Sequence, residues 1–224
     1  MIFNKFFILF KIGRKIGKSN IINIVSETHK IPVFIKLFFN LLAFSFSSSN
    51  NTKSKGKENL SESIQEMGTT FIKLGQFLAT RPDIIGEKLS KELESLQDKL
   101  PPFSKKEAEK IIIENLGKSN FDDIIDLSEP IAAASIAQVH KAKIKEDNII
   151  KNVAIKVLRP NIKKIFNDEI DAIMLLAYIV ESLVAKTKRL KLIEVVFLFK
   201  EITNHEMDLR FEAAAANEYA ENTK

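Results

Sequence analysis

The chain has no cysteine, which excludes a disulfide framework and a thiolate metal site and makes a reducing compartment the simpler reading. Histidine is scarce as well, with three in 224 residues (His29, His140 and His205). No stretch reads as a membrane span. The apolar run from Val33 to Phe46 is 14 residues long and contains Lys36 and Asn40, short of the roughly 20 a spanning helix needs. The N-terminus does not read as a signal peptide, because the apolar block Phe6 to Phe10 is too short and is followed by basic residues instead of a small-residue cleavage site. Acid is nearly missing from the first quarter of the chain. Residues 1–57 hold ten Lys/Arg against one acid, Glu27, for a charge of +9, whereas residues 58–224 carry −4.

What is present suits a globular protein with a real core: 45% hydrophobic and 28% charged residues. The basic arm also holds nine of the seventeen Phe. Phe3, Phe6, Phe7 and Phe10 recur at helical spacing beside a stripe of Lys11, Arg14, Lys15 and Lys18. Positive charge next to a Phe stripe points to an anionic membrane surface and away from nucleic acid. The bland alternative is a helix packing on its own body. Ser47 to Lys57 is a polar, low-complexity linker, which gives a basic arm over 1–46, a linker over 47–57, a helical extension over 58–120 and a further domain over 121–224.

Helical patterns run near 60–80, 84–98 and 104–116, punctuated by Pro82 and the Pro101-Pro102 pair and ended by Gly117. Ser63 to Glu66 and Ser104 to Glu107 both match the Ser-x-x-Glu helix start. The period then changes. Lys141 to Lys145 alternates polar and apolar as a half-exposed strand does, Glu146-Asp147-Asn148 is turn material, and 152–158 is a second strand. A long helix follows Arg159-Pro160, and another runs from about Lys191 to the end. This is an α+β fold with a small antiparallel sheet, mostly α by residue count.

Candidate chemistry sits in four places. In the strand Val153 to Val157 both faces are apolar except for Lys156, whose ammonium therefore calls for a carboxylate or an anionic ligand. The stretch Ala132-Ala133-Ala134-Ser135 before it is a small-residue turn that permits close backbone approach. On a straight helix Glu201, His205, Asp208 and Glu212 share one face while Glu206 lies nearly opposite Asp208. That face invites a metal, but only His29 and His140 remain to complete a site, so no metal is assigned. Lys73-Leu74-Gly75-Gln76 places a glycine inside a helical pattern, a mark of close packing.

Taken in order, the K-x-G-Q element with its T-R-P-D tail, the A-A-A-S-I-A-Q-V-H loop, V-A-I-K and the E-x-D with Glu212 to Asn217 resemble the UbiB (ADCK) family of atypical kinase-like proteins. The resemblance covers roughly Leu60 to Lys224. It implies a kinase-like N-lobe over 121–224 with a helical extension that carries K-x-G-Q. It implies ATP binding by Ala132, Ala133, Ala134, Ser135 and Lys156, with Lys156 and Glu212 as the catalytic ion pair. Lys73 and Gln76 become a regulatory element over the active site, held by Glu206 and Asp208. The implied partners are a nucleotide, an anionic membrane surface and isoprenoid or quinone-pathway proteins or lipids, with no nucleic acid, at the cytoplasmic face of a bacterial inner membrane. The sequence departs from kinases in one respect: no catalytic-loop Asp and Asn and no D-F-G follow Glu212. The expectation is therefore an N-terminal portion that is inactive alone, with Mg ligands beyond it and a second polypeptide as a possible source of the C-lobe. A non-catalytic membrane-associated scaffold or lipid-binding pseudoenzyme is the rival expectation.

Overall fold

The computed structural model describes residues 2–18, 21–28, 37, 60–96, 100–146 and 149–223. The linker 47–57, most of Val33 to Phe46, His29 and the turn residues Asp147 and Asn148 lie outside them. Contacts divide the chain into two compact units: Met1–Gln97 with Lys164–Thr203, and Asp98–Lys163 with Asn204–Lys224. We refer to them as the helical unit and the sheet unit.

The helical unit contains α1 (Ile2–Lys18), α2 (Ile21–Thr28), α3 (Leu60–Met67), α4 (Thr69–Ala79), α5 (Pro82–Ile85) and α6 (Glu87–Glu94). It also holds α9 (Ile162–Leu183) from Lys164 on and most of α10 (Leu192–Glu206). The pattern over 60–80 is two helices, not one. Gly68 takes φ 100° and ψ −176° between them, a conformation essentially reserved for glycine. Ser63 lies buried inside α3 and starts no helix. Leu60, Leu89, Leu93 and Leu96 form one core, with Ile21, Ile24 and Val25 of α2 packed against it. Gly75 allows that closeness, since a Cβ there would run into Leu96 Cδ1. A second cluster stacks Phe199 against Phe166 and Phe77, with ring centroids 5.6 Å apart in both pairs.

The sheet unit opens with α7 (Lys105–Leu116), whose Ser104 cap accepts from the Glu107 amide at 3.3 Å and whose end is Gly117 at φ 84°. After α8 (Lys118–Asp122) come β1 (Ile124–Ala133), β2 (Ala137–Glu146) and β3 (Ile149–Leu158), an antiparallel sheet in the order β1-β2-β3. One face packs on α7 through Ala108, Ile112, Leu127, Ala142 and Val157. The other, open face carries Ala132, Lys141, Lys143, Lys145 and Ala154 exposed and Val139 and Lys156 half-buried. The unit closes with α11 (Leu209–Asn222). The helix expected from Lys191 to the end breaks at Asp208, which caps α11 by accepting from the Arg210 amide at 3.2 Å.

Candidate functional site

The register of the sheet decides what surrounds Lys156. Lys156 pairs with Val139, and Val139 pairs with Ala132, so the three side chains stand in one row on one face. Ala154 and Lys141 lie next in that face, both exposed. Ile155, His140 and Gln138 belong to the opposite, buried side. The strand is thus covered by the core on one face, and Lys156 is half-buried on the other. The side chain of Lys156 is 35% exposed, and its Nζ donates to Glu212 Oε2 at 2.6 Å, Glu212 being 59% exposed. Glu212 sits in the first turn of α11, where the helix dipole favours a carboxylate.

The Ala132–Ser135 stretch is the end of β1 and the connection to β2, closed by the Ala134 amide donating to Ala137 O at 2.8 Å. Ala132 is exposed and Ala133 and Ala134 are half-buried, whereas Ser135 is wholly buried. Its hydroxyl therefore faces inward, and what the turn can offer outward is backbone and methyl groups. The set is one ammonium, that of Lys156, flanked by the small side chains of Ala132 and Ala154. Lys141, Lys143 and Lys145 follow along the same face of β2, all exposed, and keep its potential positive, with Lys143 3.6 Å from Asp126.

The acidic face read on a straight helix does not form. The break at Asp208 separates Glu201 and His205 of α10 from Glu212 of α11. Asp208 accepts from Arg210 Nε at 2.8 Å as well as from Arg210 Nη2, and this guanidinium lowers its pKa to about 2. His140, the histidine a metal site would have needed, is fully buried. Its Nδ1 lies 2.8 Å from Ser128 O and its Nε2 2.9 Å from Gln138 Nε2. A carbonyl only accepts, so the proton is on Nδ1 and Nε2 accepts from Gln138. Gln138 also bonds both backbone groups of Phe103, at 2.9 and 3.1 Å. Among the described residues no three His, Asp or Glu gather as metal ligands. Lys73 and Gln76 share one side of α4, half-buried in the helical unit, while Glu206 and Asp208 belong to the sheet unit.

In the sequence Gln138 and His140 carry no evident role, and Arg159 marks only the start of a helix. The guanidinium of Arg159 donates to the main-chain carbonyls of Ala134 and Leu100, far off in sequence, and such contacts leave no residue pattern.

Residues 95–224 match the family described as the ABC1 atypical kinase-like domain. The chain belongs to that family. The expected α+β kinase-like N-lobe, a three-stranded antiparallel sheet in a mostly helical chain, is what the structure shows. This ABC1 chain is 34% identical over 194 residues to a "Probable protein kinase UbiB" from Marinobacter nauticus, covering 86% of this chain and 35% of that protein. It is 32% identical over 216 residues to the Pseudomonas paraeruginosa protein of the same name, covering 96% and 40%. For the Cellvibrio japonicus protein of that name the identity is 34% over 193 residues, covering 86% and 34%. The ABC1 chain thus spans well under half the length of the curated relatives it matches. A kinase-like domain is a type that uses nucleotide with magnesium.

Proposed function

We propose that the open face of the sheet binds ATP, with these 224 residues supplying a nucleotide-holding part of a UbiB-type atypical kinase or ATPase that serves ubiquinone biosynthesis. The observation that carries the reading is the Lys156–Glu212 pair, standing at 2.6 Å on the face that no core covers. Lys156 contacts phosphate while Glu212 aims it, and the Ala132–Ala134 backbone covers the phosphates from the β1–β2 turn. Bound ATP supplies the transferable phosphoryl group; binding and orientation are what these residues contribute. By the resemblance, Lys73 and Gln76 regulate the site through Glu206 and Asp208. The magnesium that phosphoryl transfer employs has no assigned ligands among the described residues.

The test is thermal unfolding of the chain with and without ATP. Ligand at one hundred times its Kd stabilises a folded protein by about 2.7 kcal/mol, so a clear rise in Tm is expected for the parent and a much smaller one for Lys156→Ala. No rise in the parent overturns the reading. The exposed Phe7 and Phe10 of α1 favour a second reading, a lipid-binding scaffold at the cytoplasmic face of a bacterial inner membrane. Vesicle binding without any stabilisation by ATP would put that reading in place of the first.

A further inference from the structure

The turn that closes the candidate site contains no glycine, and something outside it fixes its shape. Arg159, at the end of β3, donates from Nε and Nη2 to the carbonyl oxygen of Ala134, at 3.1 and 2.8 Å. Nη2 also reaches Leu100 O at 3.3 Å, and the guanidinium lies over the Phe103 ring, 5.9 Å from its centroid. The Arg159 amide donates to Ile136 O at 2.9 Å. One residue therefore holds two carbonyls of the turn, Ala134 by its side chain and Ile136 by its main chain.

The aim of that side chain is set locally. Pro160 restricts Arg159 to extended backbone, and Asn161, at φ 57°, turns the chain directly afterwards into α9. The Phe103 segment beneath the guanidinium is itself fixed by Gln138, which the buried His140 orients. Because a peptide is planar and trans, holding the Ala134 carbonyl also fixes the direction of the Ser135 N–H. Both lone pairs of the Ala134 oxygen are engaged, so that peptide cannot rotate without breaking two charge-assisted bonds. A lysine ammonium is compact and lacks the planar fork that grips one oxygen from two nitrogens.

We propose that Arg159 is the positioning residue of the nucleotide site: clamped on the Ala134 carbonyl, it sets the orientation of the turn that meets the phosphates without touching the ligand itself. The inference rests on the nucleotide reading above, and the experiment separates the two. ATP and adenosine binding are measured by calorimetry on the full chain, for the parent, Arg159→Ala and Arg159→Lys. Amide exchange at residues 133–137 is followed in the same samples. Loss of the clamp should weaken ATP binding about tenfold, as expected when hydrogen bonds to a charged group are removed, with adenosine affinity unchanged. Exchange at the turn should quicken while that of β2 and β3 beyond it stays as in the parent. Arg159→Lys should behave as Arg159→Ala does, which keeps the test decisive should the alanine variant fail to fold. A general structural role would move ATP and adenosine together and quicken the whole sheet, and that overturns the proposal. So does an unchanged ratio of ATP to adenosine affinity in variants of a parent that binds ATP. A parent that binds neither ligand overturns the nucleotide reading itself, and the site role of Arg159 with it.

Discussion

Lys156 and Glu212 meet at 2.6 Å with 35% and 59% of their side chains exposed, so water screens much of their attraction. Exposed pairs contribute about 0.2–1 kcal/mol, well below the roughly 3–5 kcal/mol lost when a buried pair is broken. Glu212→Gln should therefore lower stability by under about 1 kcal/mol in urea unfolding while reducing ATP affinity. A loss of several kcal/mol would mean that the pair is structural. Asp208 gives a prediction with a pH window. Arg210 holds its pKa near 2, below the ordinary 3.8, so the folded state binds the proton less readily than the unfolded one. The stabilisation is complete above the unfolded pKa and disappears as pH falls through the folded value. Asp208→Asn keeps a competent cap but removes the charge. The stability gap between parent and variant should stay constant from about pH 7 to 5 and shrink between about pH 4 and 2. A gap that widens on acidification contradicts the Arg210 assignment.

Among the elements, the sharpest prediction falls on Gly68. No atom stands within 4 Å of a Cβ built there, so Gly68→Ala tests conformation alone. A φ of 100° at a non-glycine residue costs about 1–3 kcal/mol, and thermal unfolding of the variant should show a loss of that order. An unchanged Tm would mean that the α3–α4 junction bends some other way. Gly68 also explains why this break escaped the sequence reading: the helical spacing of apolar residues continues through it, and an isolated glycine is tolerated in many helices. Asp208 is similar, because apolar residues recur on both sides of it. Strands β2 and β3 were legible because Lys141 to Lys145 alternates and because Val153, Ile155 and Val157 are β-branched and apolar. Strand β1 was not. It carries Asp126, Ser128, Glu129 and Pro130, and its register shifts on both sides of Pro130, as suits an edge strand that need not donate there. The candidate residues Lys156 and Glu212, which the structure pairs at 2.6 Å, and Ala132 to Ala134 could be read from motif order. The openness of their face could not, since apolar side chains on a strand do not by themselves say that something covers them.

For the molecule as a whole, charge and exposure together bear on the arm. Ile12 of α1 is buried, Lys15 Nζ donates to Met67 O at 2.9 Å, and α1 lines with α9 a cleft of about 580 Å³ in which Lys11 and Arg14 share the walls with Asp168 and Glu169. Part of the basic stripe thus serves the helical unit, which is the bland alternative in part. Phe7 and Phe10 remain exposed, with Lys11 4.7 Å over the Phe7 ring. Binding to anionic vesicles should therefore fall with added salt and should weaken more in a Phe7→Ala, Phe10→Ala double variant than in Lys15→Ala. Unchanged binding in the double variant would assign membrane contact to charge alone. Among the described residues no helix is long and apolar enough to cross a membrane.

The central claim, that nucleotide lies on the open face of the sheet, is tested most directly by mapping NMR shifts of backbone amides and methyl groups as ATP is added. Shifts are expected at Ala132, Ala133, Ala134, Val139, Ala154 and Lys156, with small changes at Ala108, Ile112 and Ala142 of the α7-covered core. Shifts that cluster on that core, or their absence at Lys156 and the turn under saturating ATP, would contradict it.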